Sequence, residues 1–252
     1  IDVRHGLAPY SAVAVGQPDQ QGRSMLPANK TSSYFEGTAA IGALDRLGGG
    51  SEPFVLTASF HNPHAPMVAT GAYYDYYYYP LRNDFFVPPN LSGGDLVNSP
   101  YKKHSDPDYQ DSTKVKEWMV AYYALCEEVD SYVGKLLAKL DEHGITDNTI
   151  VVFTSDHGEA LGAHGMREKN TFLEESAHVP LLIRYPGRIA AGLDVLDAVT
   201  SLDFFATILD YANAAQYDHG DGKSLRRFIE NQVYNETYDE HAILTEWDFR
   251  KP

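Results

Sequence analysis

The chain has 252 residues, a formal net charge of −15 and a pI near 4.9. Its acid surplus argues against nucleic acid as a partner, because no basic excess exists to neutralise phosphates. No apolar run reaches the roughly 18 residues of a membrane span, and an anionic ligand must be held by a local cationic pocket or a metal against the global field.

Residues 1–32 are rich in Gly, Pro, Gln and Ser without sustained periodicity, and read as loop or as the torn edge of a larger domain. The opening Ile1-Asp2-Val3-Arg4 is not an initiator sequence, which predicts a start upstream or processed away. A single cysteine, Cys126, excludes a disulfide within these residues and leaves the redox compartment open. Three Asn-x-Ser/Thr sequons, at Asn29, Asn90 and Asn235, fall in loop-like sequence and predict glycosylation in a secreted, extracellular or lysosomal protein.

Ser33-Tyr34-Phe35-Glu36 has the pattern of a capping box, opening a helix to about Leu47 that Gly48-Gly49-Gly50 stops. Pro53–Phe60 reads as a buried strand, ending in His61-Asn62-Pro63-His64-Ala65-Pro66. On the residues alone, His61 and His64 suit a turn as well as a binding site. The run Tyr73-Tyr74-Asp75-Tyr76-Tyr77-Tyr78-Tyr79 is either a surface for stacking sugar rings or a half-buried loop packed on the domain. Residues 81–111 read as a long loop.

From Ser112 to His143 the apolar residues follow the three-and-four spacing of one buried helix face, among them Val115, Trp118, Leu125 and Leu140. Gly144 is placed to follow its end. Cys126 lies on the stripe and reads as core, not as a nucleophile.

Residues 149–187 begin with the β-branched run Ile150-Val151-Val152-Phe153, the composition of a buried strand, then turn polar at Ser155-Asp156-His157-Gly158. Ligands gather at the carboxyl edge of strands in α/β folds. Asp156 offers a hard oxygen and His157 a nitrogen, so the pair could share one divalent cation, and Gly158 lets the backbone turn away. His164, Arg167 and Lys169 follow, three groups suited to an anion. A second buried strand runs from Val179 to Tyr185. An amphipathic helix is expected from Thr200 to about Ala214, and a further strand from His241 to Trp247.

The stretch DHGEALGAHG, the following Lys169 and LEESAHVPLLIRYPG together resemble the sulfatase family of the alkaline phosphatase superfamily, with Asp-His as in its iduronate-2-sulfatase-like branch. The segment PFVLTASFHNPHAP at 53–66 is similar to the sulfatase segment whose histidine after proline contacts sulfate, and His64 takes that position. The helix around Asp130, the TSLD at 200–203 and the DGKSL at 221–225 extend the resemblance over roughly residues 33–247.

The resemblance implies an α/β fold with a mixed, largely parallel sheet flanked by helices and incomplete at its N-terminus, with residues 33–252 as the later portion of the catalytic domain. It implies a sulfuric ester hydrolase acting on a sulfated small molecule or glycan. Asp156 and His157 would hold a divalent cation, calcium in this family. His64 and Lys169 would be catalytic, with His61 and His164 touching substrate. Such chemistry needs cations because attack at sulfur adds negative charge to oxygens already rich in it.

The family's nucleophile is a formylglycine made from the first residue of Cys/Ser-x-Pro-x-Arg, and two further aspartates bind its metal. These 252 residues contain neither that motif nor an adjacent Asp-Asp pair; at Ser51-Glu52-Pro53, Val55 stands where arginine belongs. The expectation is that both lie upstream, in a missing N-terminal part of the same domain. The alternatives are an inactive sulfatase-like binding glycoprotein, or a phosphodiesterase or phosphonate hydrolase of the same superfamily.

Overall fold

The computed structural model describes residues 21–24, 26–81, 85–92, 107–169, 171–195, 197–217 and 220–231. They divide between two compact units, Ile1–Thr146 with Ser155–Val179 and Asp147–Thr154 with Pro180–Pro252.

The first unit is built on two helices, α1 (Ser32–Gly48) and α3 (Ser112–Glu142), and also holds the one-turn helix α4 (Glu174–Ala177). The α3 span matches the apolar stripe, and Val115, Trp118, Leu125 and Leu140 are buried as that stripe requires. Asp111 caps its N-terminus by accepting from Thr113 N and Lys114 N. Its C-terminus is a Schellman turn: Gly144 sits at φ 66°, its N–H donates to Asp141 O, and Ile145 N donates to Leu140 O. Cys126 lies on α3, where burial pushes its thiol up to about 12.

Helix α1 crosses α3 closely at Gly37, where an added Cβ would stand 2.2 Å from the Tyr132 ring. It begins earlier than the capping-box pattern suggests. Thr31 is the N-cap and accepts from Tyr34 N, so Ser33 and Glu36 lie inside the helix.

Two short parallel strands, β1 (Gln21–Arg23) and β2 (Met67–Ala69), pair with Gln21 opposite Met67. Residues 21–23 thus carry a strand within the stretch read as loop or torn edge; its pairing is with a segment 46 positions on (67 − 21), invisible to local pattern. The tyrosine run is also not a loop. It forms α2 (Gly71–Leu81), which packs Tyr73, Tyr74 and Tyr77 against the core around Met67, Trp118 and Leu125 and leaves Tyr76 exposed. Arg23 holds α2 through a two-pronged ion pair to Asp75, at 2.9 and 3.0 Å.

Pro53–Phe60 belongs to no strand among the described residues, and Val55 is 81% exposed. Its β-branched composition reports a local preference, whereas a strand needs a ladder partner.

In the second unit, β3 (Val151–Thr154) and β4 (Leu181–Arg184) form an antiparallel pair with Phe153 opposite Leu182. Both were expected buried. Instead Phe153 is 40% and Leu182 63% exposed, because a two-stranded pair has one face to bury. Helix α5 (Ser201–Tyr211) follows Thr200 as expected, and its Asp203 is fully buried. The short helix α6 (Arg226–Asn231) completes the unit. The strand expected at 241–247 lies outside the described residues. One parallel and one antiparallel pair, with helices around them, make the architecture mixed α/β.

Candidate active site

His61–Pro66 forms a turn in which His64 N donates to His61 O at 3.1 Å. The His64 ring donates from Nδ1 to the carbonyl of Ala65 at 2.7 Å, so Nε2 is its acceptor. Lys169 Nζ donates to that Nε2 at 2.7 Å. The His61 and His64 rings lie 4.9 Å apart, and those of His64 and His157 6.5 Å apart. Burial, then the electrostatic influence of His64 and Lys169, holds the His61 imidazole below its ordinary pKa.

Asp156 and His157 follow β3 in the chain, separated from its end by one residue, Ser155. His157 donates from Nδ1 to Gly158 O at 2.9 Å, which leaves Nε2 as its electron-pair donor, 3.7 Å from Asp156 Oδ2. Asp156 Oδ1 accepts from His157 N and Ser155 Oγ, while the side chain as a whole is 86% exposed. One carboxylate oxygen and one imidazole nitrogen therefore face the same space. They fit two positions of a divalent cation's shell, with the second ring nitrogen fixed by a carbonyl as metal-bound histidines require. Among the described residues no group of three or more His, Cys, Asp or Glu converges in this way, and two donors are fewer than the six to eight that a calcium ion takes.

Between these two residues and Lys169 runs a tightly clasped loop. Gly158 N donates to Ser176 O, Ala160 N to Glu168 O and Gly162 N to Met166 O, each at 2.9 Å. Gly158 has a stricter role than relieving a turn: a Cβ there would meet the Glu175 carbonyl oxygen at 2.0 Å. Glu159 folds inward to accept from Leu161 N and Glu168 N, and burial raises its pKa. Leu161, His164 and Glu168 all take positive φ, at 43°, 57° and 64°. Non-glycine residues in this region carry backbone strain, which collects at ligand sites. Glu168 is thus turned so that Lys169 leaves the loop beside His64.

His64, Lys169, His157, Asp156 and His61 are brought together in the first unit. His164 is held elsewhere in the loop by a two-point clasp: its N–H donates to Asn90 Oδ1 at 3.0 Å, and Asn90 Nδ2 donates to its Nδ1 at 2.8 Å. Its Nε2 lies 3.5 Å from Glu175 Oε1. Arg167 lies 4.0 Å from Glu168. Of the sequon residues, Asn29 is exposed in a short turn, the Asn90 amide is engaged with His164, and Asn235 lies outside the described residues.

Residue patterns did not single out Glu36 or Asn62. Glu36 Oε2 accepts from His61 N at 3.1 Å, and Asn62 Nδ2 donates to Ser33 Oγ at 2.8 Å. The signal was present as Ser33-x-x-Glu36, but it reads as a helix cap until the actual cap is known.

The family model for sulfatases matches residues 38–214. An arylsulfatase of Clostridium perfringens is 34% identical over 191 residues, covering 72% of this chain and 38% of its own length. An N-acetylglucosamine-6-O-sulfatase of Bacteroides thetaiotaomicron is 40% identical over 121 residues, covering 48% of this chain and 22% of its own. The solved phosphonate monoester hydrolase of Agrobacterium radiobacter superposes with a TM-score of 0.71 at 26% identity, over 86% of this chain and 46% of its own. The chain spans less than half the length of each of these relatives.

Proposed function

We propose, from the premise that this chain belongs to the sulfatase family, that its residues form the anion-holding and proton-transferring part of a sulfuric ester hydrolase. The carrying observation is the Lys169–His64 hydrogen bond at 2.7 Å, with His157 beside it. The Lys169 ammonium has three N–H donors. One is spent on His64, and two remain for non-bridging oxygens of an ester. His64 Nε2 is the atom at which a proton passes from the Lys169 ammonium to a leaving alkoxide, leaving Lys169 a neutral amine, with Nδ1 anchored so that the ring does not turn. His61 packs against the His64 ring and lines the substrate's approach; His164 contacts the more distant part of the substrate.

Asp156 Oδ2 and His157 Nε2 would hold a divalent cation, calcium in this reading, which when bound draws charge from the ester oxygens. The nucleophile in this reading is a formylglycine outside these 252 residues, which contain no Cys/Ser-x-Pro-x-Arg. Cys126 does not replace it, since a thiol whose pKa is raised to about 12 is almost wholly protonated near neutrality.

A sulfated glycan is the substrate class favoured, since a relative is named for sulfate on N-acetylglucosamine. The exposed asparagine of the first sequon supports a secreted or lysosomal setting. The second reading, a phosphonate monoester hydrolase, is favoured by the superposition at TM-score 0.71. The test is turnover of a sulfated monosaccharide, an aryl sulfate and a phenylphosphonate monoester by the full-length protein, with and without a calcium chelator. Sulfate release lost on chelation is expected. Turnover of the phosphonate ester alone would overturn the proposal.

A further inference from the structure

Helix α1 grips the His61–Pro66 turn at two consecutive residues. Glu36 Oε2 accepts from His61 N, and Ser33 Oγ accepts from Asn62 Nδ2. Ser33 and Glu36 are three residues apart and share one helix face. Ser33 and Asn62 are both buried, so their bond is shielded from competing water. The His61 peptide is engaged on both sides: its N–H goes to Glu36 and its carbonyl receives His64 N.

From these contacts we infer that Ser33 and Glu36 are positioning residues that set the orientation of the His64 ring, acting through Asn62 and His61. The inference rests on the reading of His64 as a site residue.

Neither side chain is needed to start the helix, because Thr31 already caps it. Thr31 Oγ1 is itself bonded to the buried Glu128 of α3 at 2.7 Å. Gly37, next to Glu36, lies against Tyr132 of α3 with no room for a Cβ. Helix α1 is therefore fixed to α3 on both sides of Ser33, and it transmits that fixed position to the turn. A catalytic side chain borne on a turn needs such support, because a displacement of about 1 Å is enough to disable a site. The last link is the His64 ring, whose Nδ1 meets Ala65 O and whose Nε2 meets Lys169.

The test uses ¹⁵N chemical shifts of the His64 ring nitrogens in the labelled full-length protein, with inorganic sulfate as the ligand probe. The wild type is expected to show one tautomer, protonated at Nδ1. Glu36→Ala should mix the two tautomers and weaken sulfate binding by roughly tenfold, the equivalent of about one hydrogen bond. Glu36→Gln retains a carbonyl acceptor for His61 N and should restore both readouts. Ser33→Ala should reproduce the Glu36→Ala pattern; if it fails to fold, the Ala and Gln variants at Glu36 decide alone. Glu36→Ala with wild-type ring shifts and sulfate affinity, whatever its melting temperature, overturns the proposal by leaving Glu36 a purely structural role. Absence of sulfate binding in every protein, with the tautomer still shifting in Glu36→Ala, would leave positioning intact and defeat the functional reading instead.

Discussion

Lys169 Nζ and His64 Nε2 stand 2.7 Å apart across 105 positions of sequence. The donor is an ammonium and the acceptor an imidazole whose other nitrogen is occupied by a carbonyl, so the pair is a directed contact and not a chance approach of two like charges. Removing either partner in the full-length enzyme should lower turnover at least about a hundredfold, the usual scale for lost charge stabilisation or proton transfer. Lys169→Ala and His64→Ala are both expected to fold, since each side chain is partly open to solvent. Steady-state turnover with circular dichroism as a folding control checks this, and unchanged turnover in either variant removes that residue from the site.

Gly158→Ala places a methyl group 2.0 Å from the carbonyl oxygen of Glu175. Both sides of that clash are backbone, so relief requires the loop to move. The expected loss is about 1–3 kcal/mol or more, as for overpacking elsewhere. Thermal unfolding measures it, and a melting temperature equal to that of the wild type would show that the loop yields freely.

Asp203 is fully buried and receives Thr200 N at 2.9 Å on Oδ2 and Lys223 N at 2.8 Å on Oδ1. Asp203→Ala leaves both part-buried amide donors without that acceptor, at a cost of up to about 1–3 kcal/mol each. Asp203→Asn keeps one acceptor oxygen and should lose less. Urea unfolding of the two variants compares them; equal stability of Asp203→Ala and the wild type would contradict this account of α5.

Glu128 is buried on α3, and desolvation raises its carboxyl pKa, opposed by the hydrogen bond from Thr31. A carboxyl whose folded pKa exceeds the unfolded value of about 4.3 binds its proton more tightly in the folded state. Its stabilising contribution is complete below that unfolded value and is lost as pH rises through the raised folded one. Glu128→Gln has no such proton to lose. Across pH about 4 to about 7, the wild type should therefore lose melting temperature relative to this variant. Burial also raises Glu36 and Glu159, so the variant keeps part of the slope. Parallel pH profiles for the two proteins would remove Glu128 as a source.

Several local features could be read before any fold was known because short-range physics specifies them. The α3 stripe, its Gly144 terminator and the start of α5 after Thr200 depend on residues within a turn or two of each other. Asp156 and His157 were legible for the same reason, being adjacent. The segment 53–60 and the exposed faces of β3 and β4 depart from the sequence reading because composition records a preference for extended backbone, not whether another strand or layer covers it. The tyrosine run went to α2 since its burial against Met67 and Trp118 outweighs the β preference of its side chains.

Sequence by itself determined which chemistries were on hand: two histidines beside prolines, an Asp-His pair, one lysine further on, and an acid excess against which any anion site must work. Tertiary structure alone decided that His64 meets Lys169, that Ser33 and Glu36 hold a turn instead of a helix end, and that His164 is clasped by Asn90. The physical reason is that each of these contacts joins segments 25 to 105 residues apart. No local propensity encodes such a distance; only the packing of α1 on α3 and the clasped loop before Lys169 fix it.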